Sequence, residues 1–147
     1  MSTEVANKPK ALSAEQCLAL LCELTVGRIG WVEGDGDVTI IPVNFAVDSA
    51  AIVFRTSEKI AARVLSAGAA AAFQADELEP AMHAGWSVLV HGHVEQVAEV
   101  ADVARIHDMV QPWSGADLPV AMRLLPRRIS GRQIPVHPGG VFLIHEN

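Results

Sequence analysis

Within the segment Phe54-Arg55-Thr56-Ser57-Glu58-Lys59, several devices for holding an anion fall side by side. Arg55 supplies a planar fork of N–H donors, Thr56 and Ser57 supply hydroxyls, and Lys59 adds a point charge. The segment ends an apolar, strand-like run from Ala51 to Arg55 and opens a helical one from Glu58 to Ala67, stopped at Gly68. Unpaired N–H groups of a first helical turn therefore join the same cluster. On a chain of net charge −6, so small a positive focus does not make a nucleic-acid surface. It suits one phosphate-bearing cofactor.

Other reactive residues are weaker signals. His91, His93 and Glu95 alternate along one strand and share a face, yet a half-solvated strand carries polar residues there anyway, so no metal site is assigned. Cys17 and Cys22 stand five apart in a helical stretch, on different faces, and read as reduced, unpaired thiols. The chain has neither a Gly-x-Ser-x-Gly nucleophile elbow nor a Gly-x-x-x-x-Gly-Lys phosphate loop. No catalytic residue is assigned. If the protein is an enzyme, a cofactor carries the chemistry.

The elements that must position these groups are short. Ser13 and Gln16 form a capping box, and Cys17, Leu20, Leu21 and Leu24 give a helical stripe over about 13–25. The period then changes. Strands are predicted at 27–32, 38–47 and 51–55, joined by turns at Glu33–Asp37 and Asp48-Ser49, as an antiparallel meander. After the helix at 58–67 comes an alanine-rich strand at 69–75, then a loop at 76–84 containing Pro80. Residues 85–97 give the clearest strand, with Trp86, Val88, Val90 and Val94 facing inward and Ser87, Leu89, His91, His93 and Glu95 outward. A helix at 99–110, a loop at 111–119, and one or two strands around Pro126 complete the pattern.

Size and composition bound the reading. A chain of 147 residues, 50% apolar and 19% charged, is one domain with a real core. We divide it into a flexible N-terminus (1–10), a domain (11–136) and a C-terminal tail (137–147). No apolar run approaches the ~18 residues of a membrane span, and none near the N-terminus has signal-peptide length, so a cytoplasmic location is expected. Six or so short strands with helices at the rim predict a mainly β fold, a six-stranded antiparallel barrel.

The order of motifs resembles the flavin-binding split-barrel proteins related to pyridoxamine 5′-phosphate oxidase, in particular the small actinobacterial-type members. The likeness runs through Gly27-Arg28, Ile41-Pro42-Val43-Asn44-Phe45, Phe54-Arg55-Thr56, Gly85-Trp86-Ser87-Val88 and Ile129-Ser130-Gly131-Arg132. It implies a split barrel, a homodimer with FMN at the subunit interface, and a small-molecule electron donor and acceptor. The flavin phosphate would sit near Arg55, Thr56 and Lys59, with Phe54 beside them among the cofactor-binding residues. Pro42, Val43 and Asn44 would line the ring, with Trp86, Ser87, Val88 and Arg132 reaching it from the same or the partner subunit. A flavin-dependent oxidoreductase is the leading expectation. A deazaflavin-dependent reductase and a non-catalytic flavin-binding or sensing dimer are the alternatives. Two departures are plain. Lys59 follows Thr56 more closely than in relatives, with Arg63 as a substitute one turn on, and the vitamin enzyme's C-terminal Arg-x-His signature is missing. Pyridoxamine phosphate oxidation itself is therefore not expected.

Overall fold

The computed structural model of the chain describes residues 8–136. In chain order the elements are β1 (Lys10–Leu12), α1 (Ala14–Leu21), β2 (Val26–Val32), β3 (Val38–Asp48), β4 (Ala51–Thr56), α2 (Glu58–Ser66), β5 (Ala70–Glu79), a 3-10 turn (Pro80–Met82), β6 (Ala84–Gln96), α3 (Val100–Met109) and β7 (Val120–Ile134). The strands are ordered β1-β7-β4-β3-β2-β5-β6, and β6 pairs back onto β7. Strands β2 to β7 thus close a six-stranded antiparallel barrel, and β1 adds to the far half of β7. Closure leaves few exposed edges.

Local chemistry explains most of these elements. Ser13 and Gln16 form the expected reciprocal cap on α1, at 3.1 and 2.9 Å. The β2–β3 hairpin turns through Glu33–Asp37, where Asp35 accepts from the Asp37 N–H and Gly36 takes a φ of +93°. Inside the barrel, Phe45 and Phe73 meet edge to face at 4.7 Å. Gly27 lies against the Phe73 ring so closely that any β-carbon would overlap it. The core face of β6 is the predicted one, with Trp86, Val88, Val90 and Val94 buried. On the barrel's outside, Ile106 and Val110 cover Val53, Val97 and Ala121, so β4 is buried on both faces.

Three expectations are corrected. Lys10–Leu12 forms a strand on β7 that begins at the last residue of the predicted flexible terminus and is no expected element; three residues show no pattern of their own, and long-range pairing makes them a strand. The first helix ends at Leu21 rather than near residue 25, because the N–H groups of Glu23 and Leu24 bond the carbonyls of Leu20 and Leu21 in a tighter turn. The predicted loop at 76–84 is mostly strand: the β5–β6 ladder continues to Glu79↔Ala84, and the bend shrinks to Pro80–Met82 with His83 at φ +49°. Of the one or two strands expected around Pro126 there is one, and a bulge between the pairs His91↔Arg128 and Gly92↔Pro126 leaves Arg127 without a partner, with Gly92 close against the Leu125 backbone.

One irregularity positions the site. Strands β3 and β4 pair only from Phe45↔Phe54 to Asp48↔Ala51. Beyond that point β3 stays with β2, through Val26↔Asn44 and Arg28↔Pro42, while Arg55 and Thr56 stay with β7. The barrel wall is therefore split between Ile41–Asn44 and Arg55–Thr56.

Candidate functional site

A cavity of about 400 Å³ occupies that split. Its walls are Val26, Ile41, Pro42 and Val43 on one side and Ile60 and Leu118 on the other, with Asn44, Arg55, Thr56, Ser57, Trp113 and Ser114 as its polar and aromatic features. Six of the residues singled out from sequence meet here: Pro42, Val43, Asn44, Arg55, Thr56 and Ser57. Pro42 is paired with Arg28 of β2 and sits on the stretch of β3 that has no β4 partner, in keeping with its lack of an N–H.

The polar end has one character. Arg55 is the cation lining it, and no carboxylate lines it. Two Arg55 donors are committed to backbone, Nε to the Leu118 carbonyl at 3.0 Å and Nη1 to that of Val110 at 3.2 Å. A guanidinium has five N–H bonds, so donors remain. Thr56 is only 4% exposed and is the buried polar residue of the described core. Its hydroxyl has no hydrogen-bond partner among the described residues. Thr56 lines the cavity, so its hydroxyl is free to bond water or a ligand there. Ser57 accepts from the Ile60 N–H at 3.2 Å as the cap of α2, which leaves its own hydrogen to donate.

The other sequence-derived residues lie elsewhere. Phe54 is 2% exposed and belongs to the barrel core, as does Trp86. Lys59 is exposed and lines no part of the cavity. Ser87, Val88 and Arg132 line a second groove with Ala11, Gln74, Leu89, Ser130 and Gly131, which shares no residue with the first. Arg63, the substitute for Lys59, is bound instead to Glu33, which also accepts from Trp31 Nε1 at 3.0 Å and Thr39 Oγ1 at 2.8 Å. With Arg63 the strongest of these partners, the Glu33 carboxyl is lowered to about 2. The Arg63 guanidinium also lies 5.5 Å from the Trp31 ring centre. Of the histidine face, Glu95 is paired with Arg123 at 2.9 Å and His91 Nδ1 lies 3.1 Å from Arg128. Cys17 is buried and Cys22 exposed, and both are free.

Sequence reasoning missed Trp113, Ser114 and Leu118. They sit in a turn-rich stretch whose only hint is a tryptophan among polar residues. The bond that brings the stretch to the slot, Trp113 N–H to Asn44 Oδ1 at 2.9 Å, spans 69 positions.

The closed six-stranded barrel is thus split by a cavity whose lining joins apolar side chains to Arg55 and the hydroxyls of Thr56 and Ser57. The family model for pyridoxamine 5′-phosphate oxidase matches residues 13–133, and the chain belongs to that family. Among solved structures, an FAD-binding protein from Mycobacterium smegmatis is 31% identical, with a TM-score of 0.68 over 85% of this chain and 98% of that one. A protein from Corynebacterium glutamicum named for the same oxidase is 29% identical, with a TM-score of 0.72 over 87% and 94%. An uncharacterised Mycobacterium tuberculosis protein is 28% identical over 90% of each chain. No helix of the described residues is long and apolar enough to cross a membrane.

Proposed function

We infer that the chain binds a flavin mononucleotide in the split and works as a flavin-dependent oxidoreductase on a small acceptor. The observation that carries this is the slot's polarity: an apolar body with Arg55, Ser57 and the unpartnered Thr56 hydroxyl at one end. The FAD-binding relative at 31% identity supports a flavin. The cavity volume suits an aromatic ring system partly open to solvent.

In this reading Thr56 and Ser57 donate to the phosphate and Arg55 adds its remaining N–H groups. Ile41, Pro42 and Val43 exclude water from one ring face. The bound flavin supplies reversible electron transfer, which no side chain of the slot offers. Positioning is then the protein's contribution.

The reading includes a homodimer. Val38 and Ile40 are 69% and 66% exposed, and with Val32, Ala70 and Ala72 they make an apolar outer face on β2, β3 and β5. Such a patch marks an association surface. A twofold partner would also bring Ser87, Val88 and Arg132 of its own groove toward a slot they do not reach within one chain.

The test is calorimetric titration of FMN and riboflavin, which differ by the phosphate. FMN should bind at least about tenfold tighter, a gap of ~1.4 kcal/mol. Thr56→Val should remove most of that preference and leave riboflavin unchanged. Equal affinity for the two flavins contradicts the phosphate assignment. The mass of any chromophore that co-purifies separates FMN from a deazaflavin.

A further inference from the structure

The loop between α3 and β7 is fastened at more points than a connection needs. Arg55 holds its start and its end, through the carbonyls of Val110 and Leu118. Gln111 Nε2 donates to the carbonyls of His107 and Asp108, at 3.0 and 3.2 Å, and finishes α3. His107 Nε2 lies 3.2 Å from the Pro119 carbonyl. In the middle, the Trp113 N–H donates to Asn44 Oδ1 while Asn44 Nδ2 donates to the Thr25 carbonyl at 3.3 Å. Asn44 thus ties the loop to the start of β2 across the mouth of the slot.

What this mooring presents is an indole. Trp113 is 77% exposed although it lines the cavity, whereas Trp31 and Trp86 are 3% and 7% exposed. A tryptophan left in water forgoes the large burial that makes the residue stabilising, so the fold gains little from it. Its backbone is nevertheless fixed beside Pro42 and Asn44, where a flat ring in the slot would lie.

We propose that Trp113 is the stacking wall of the slot for a planar heteroaromatic ring, and that Asn44 is the positioning residue that aims it. The inference rests on the flavin reading and adds to it a specificity determinant: the slot selects flat π-systems through an indole on the loop, in addition to the phosphate end. Asn44 acts through the loop backbone and needs no contact with the ring for this role.

The experiment is titration of FMN into wild-type protein and into Trp113→Leu, Trp113→Phe and Asn44→Ala, followed by flavin emission and by acrylamide quenching of tryptophan emission. Stacked indole quenches a flavin, so bound FMN should be dark in the wild type. Trp113→Leu should weaken FMN about tenfold, the scale of one stacking contact, and recover emission. Trp113→Phe should keep affinity within about threefold and recover part of the emission. In the ligand-free protein, acrylamide should reach Trp113 and spare the two buried indoles; FMN should abolish that access. Asn44→Ala should weaken FMN, and its effect should shrink when combined with Trp113→Leu, as expected of residues acting in series. If Trp113→Leu binds FMN as tightly and as darkly as the wild type, the stacking role is wrong while flavin binding stands. If Asn44→Ala keeps its full effect in the Trp113→Leu background, the positioning role is wrong. If the wild type binds neither FMN nor riboflavin, the flavin reading falls and takes this inference with it. Because Trp113 is exposed, its variants should melt with the wild type, which guards against misfolding as the cause.

Discussion

Replacing Arg55 with methionine should separate the architectural work of this residue from any ligand contact. Methionine keeps much of the apolar stem and removes both donors that hold the α3–β7 loop. The Val110 carbonyl belongs to a residue that is 1% exposed, so it is left without a partner in a dry setting. A hydrogen bond from a charged donor contributes about 1.5–3 kcal/mol, and the loss falls in full only where water cannot replace the donor. The Leu118 carbonyl lies on a half-exposed loop and regains water. The expected loss is therefore about 2–3 kcal/mol, one full hydrogen bond and a fraction of the second. For a chain of this length each kcal/mol moves the midpoint by roughly 2–4 °C, which predicts a fall of about 5–10 °C. Circular-dichroism melts of ligand-free Arg55→Met and wild-type protein measure it directly. Arg55→Lys should recover less than half, because an ammonium cannot reach two carbonyls in fork geometry. A melt of Arg55→Met within about 1 °C of the wild type would refute the reasoning and leave Arg55 as a ligand contact alone.

The Glu33–Arg63 contact predicts a pH signature: the folded carboxyl titrates at about 2, below its ordinary 4.5, so its contribution is complete above pH 4.5 and is lost as pH falls toward 2. Melting temperatures of wild type and Glu33→Gln should differ at pH 7 and converge over that window; a gap that stays constant contradicts the assignment. Ile40→Asp, at the centre of the apolar outer face, should halve the mass seen by light scattering at micromolar concentration, from twice the chain mass to one, while the far-UV spectrum stays the same. A wild type that scatters as a monomer counts against the dimer.

Local rules make much of this fold readable. Ser13 and Gln16 cap α1, the Glu33–Asp37 turn sets the first hairpin, and the alternation around Trp86 gives the buried face of β6. Pro42 is legible as a residue on a free strand margin, and Arg55 with Thr56 as a polar strand end. Elements made by tertiary pairing are not legible in the same way. Residues 76–79, Asp-Glu-Leu-Glu, look like a loop and are strand because β6 offers them a ladder. Lys10–Leu12 is strand only because β7 runs long enough to receive it. The site divides along the same line. Its β3 and β4 walls carry local signals, whereas the Trp113 wall depends on Asn44 and Arg55 capturing a loop far away in sequence.

The unpaired stretch of β3 is also a hazard that the chain has to manage. On the side turned away from β2, residues 38–44 have no strand partner among the described residues, and a bare sheet margin is a template for pairing with another chain. Pro42 stands inside that stretch and has no N–H to offer an incoming strand, so a continuous ladder cannot form across it. The residue that lines the split thus also denies it to a polypeptide. Replacing it by valine would turn the cleft into a seam along which chains could stitch together.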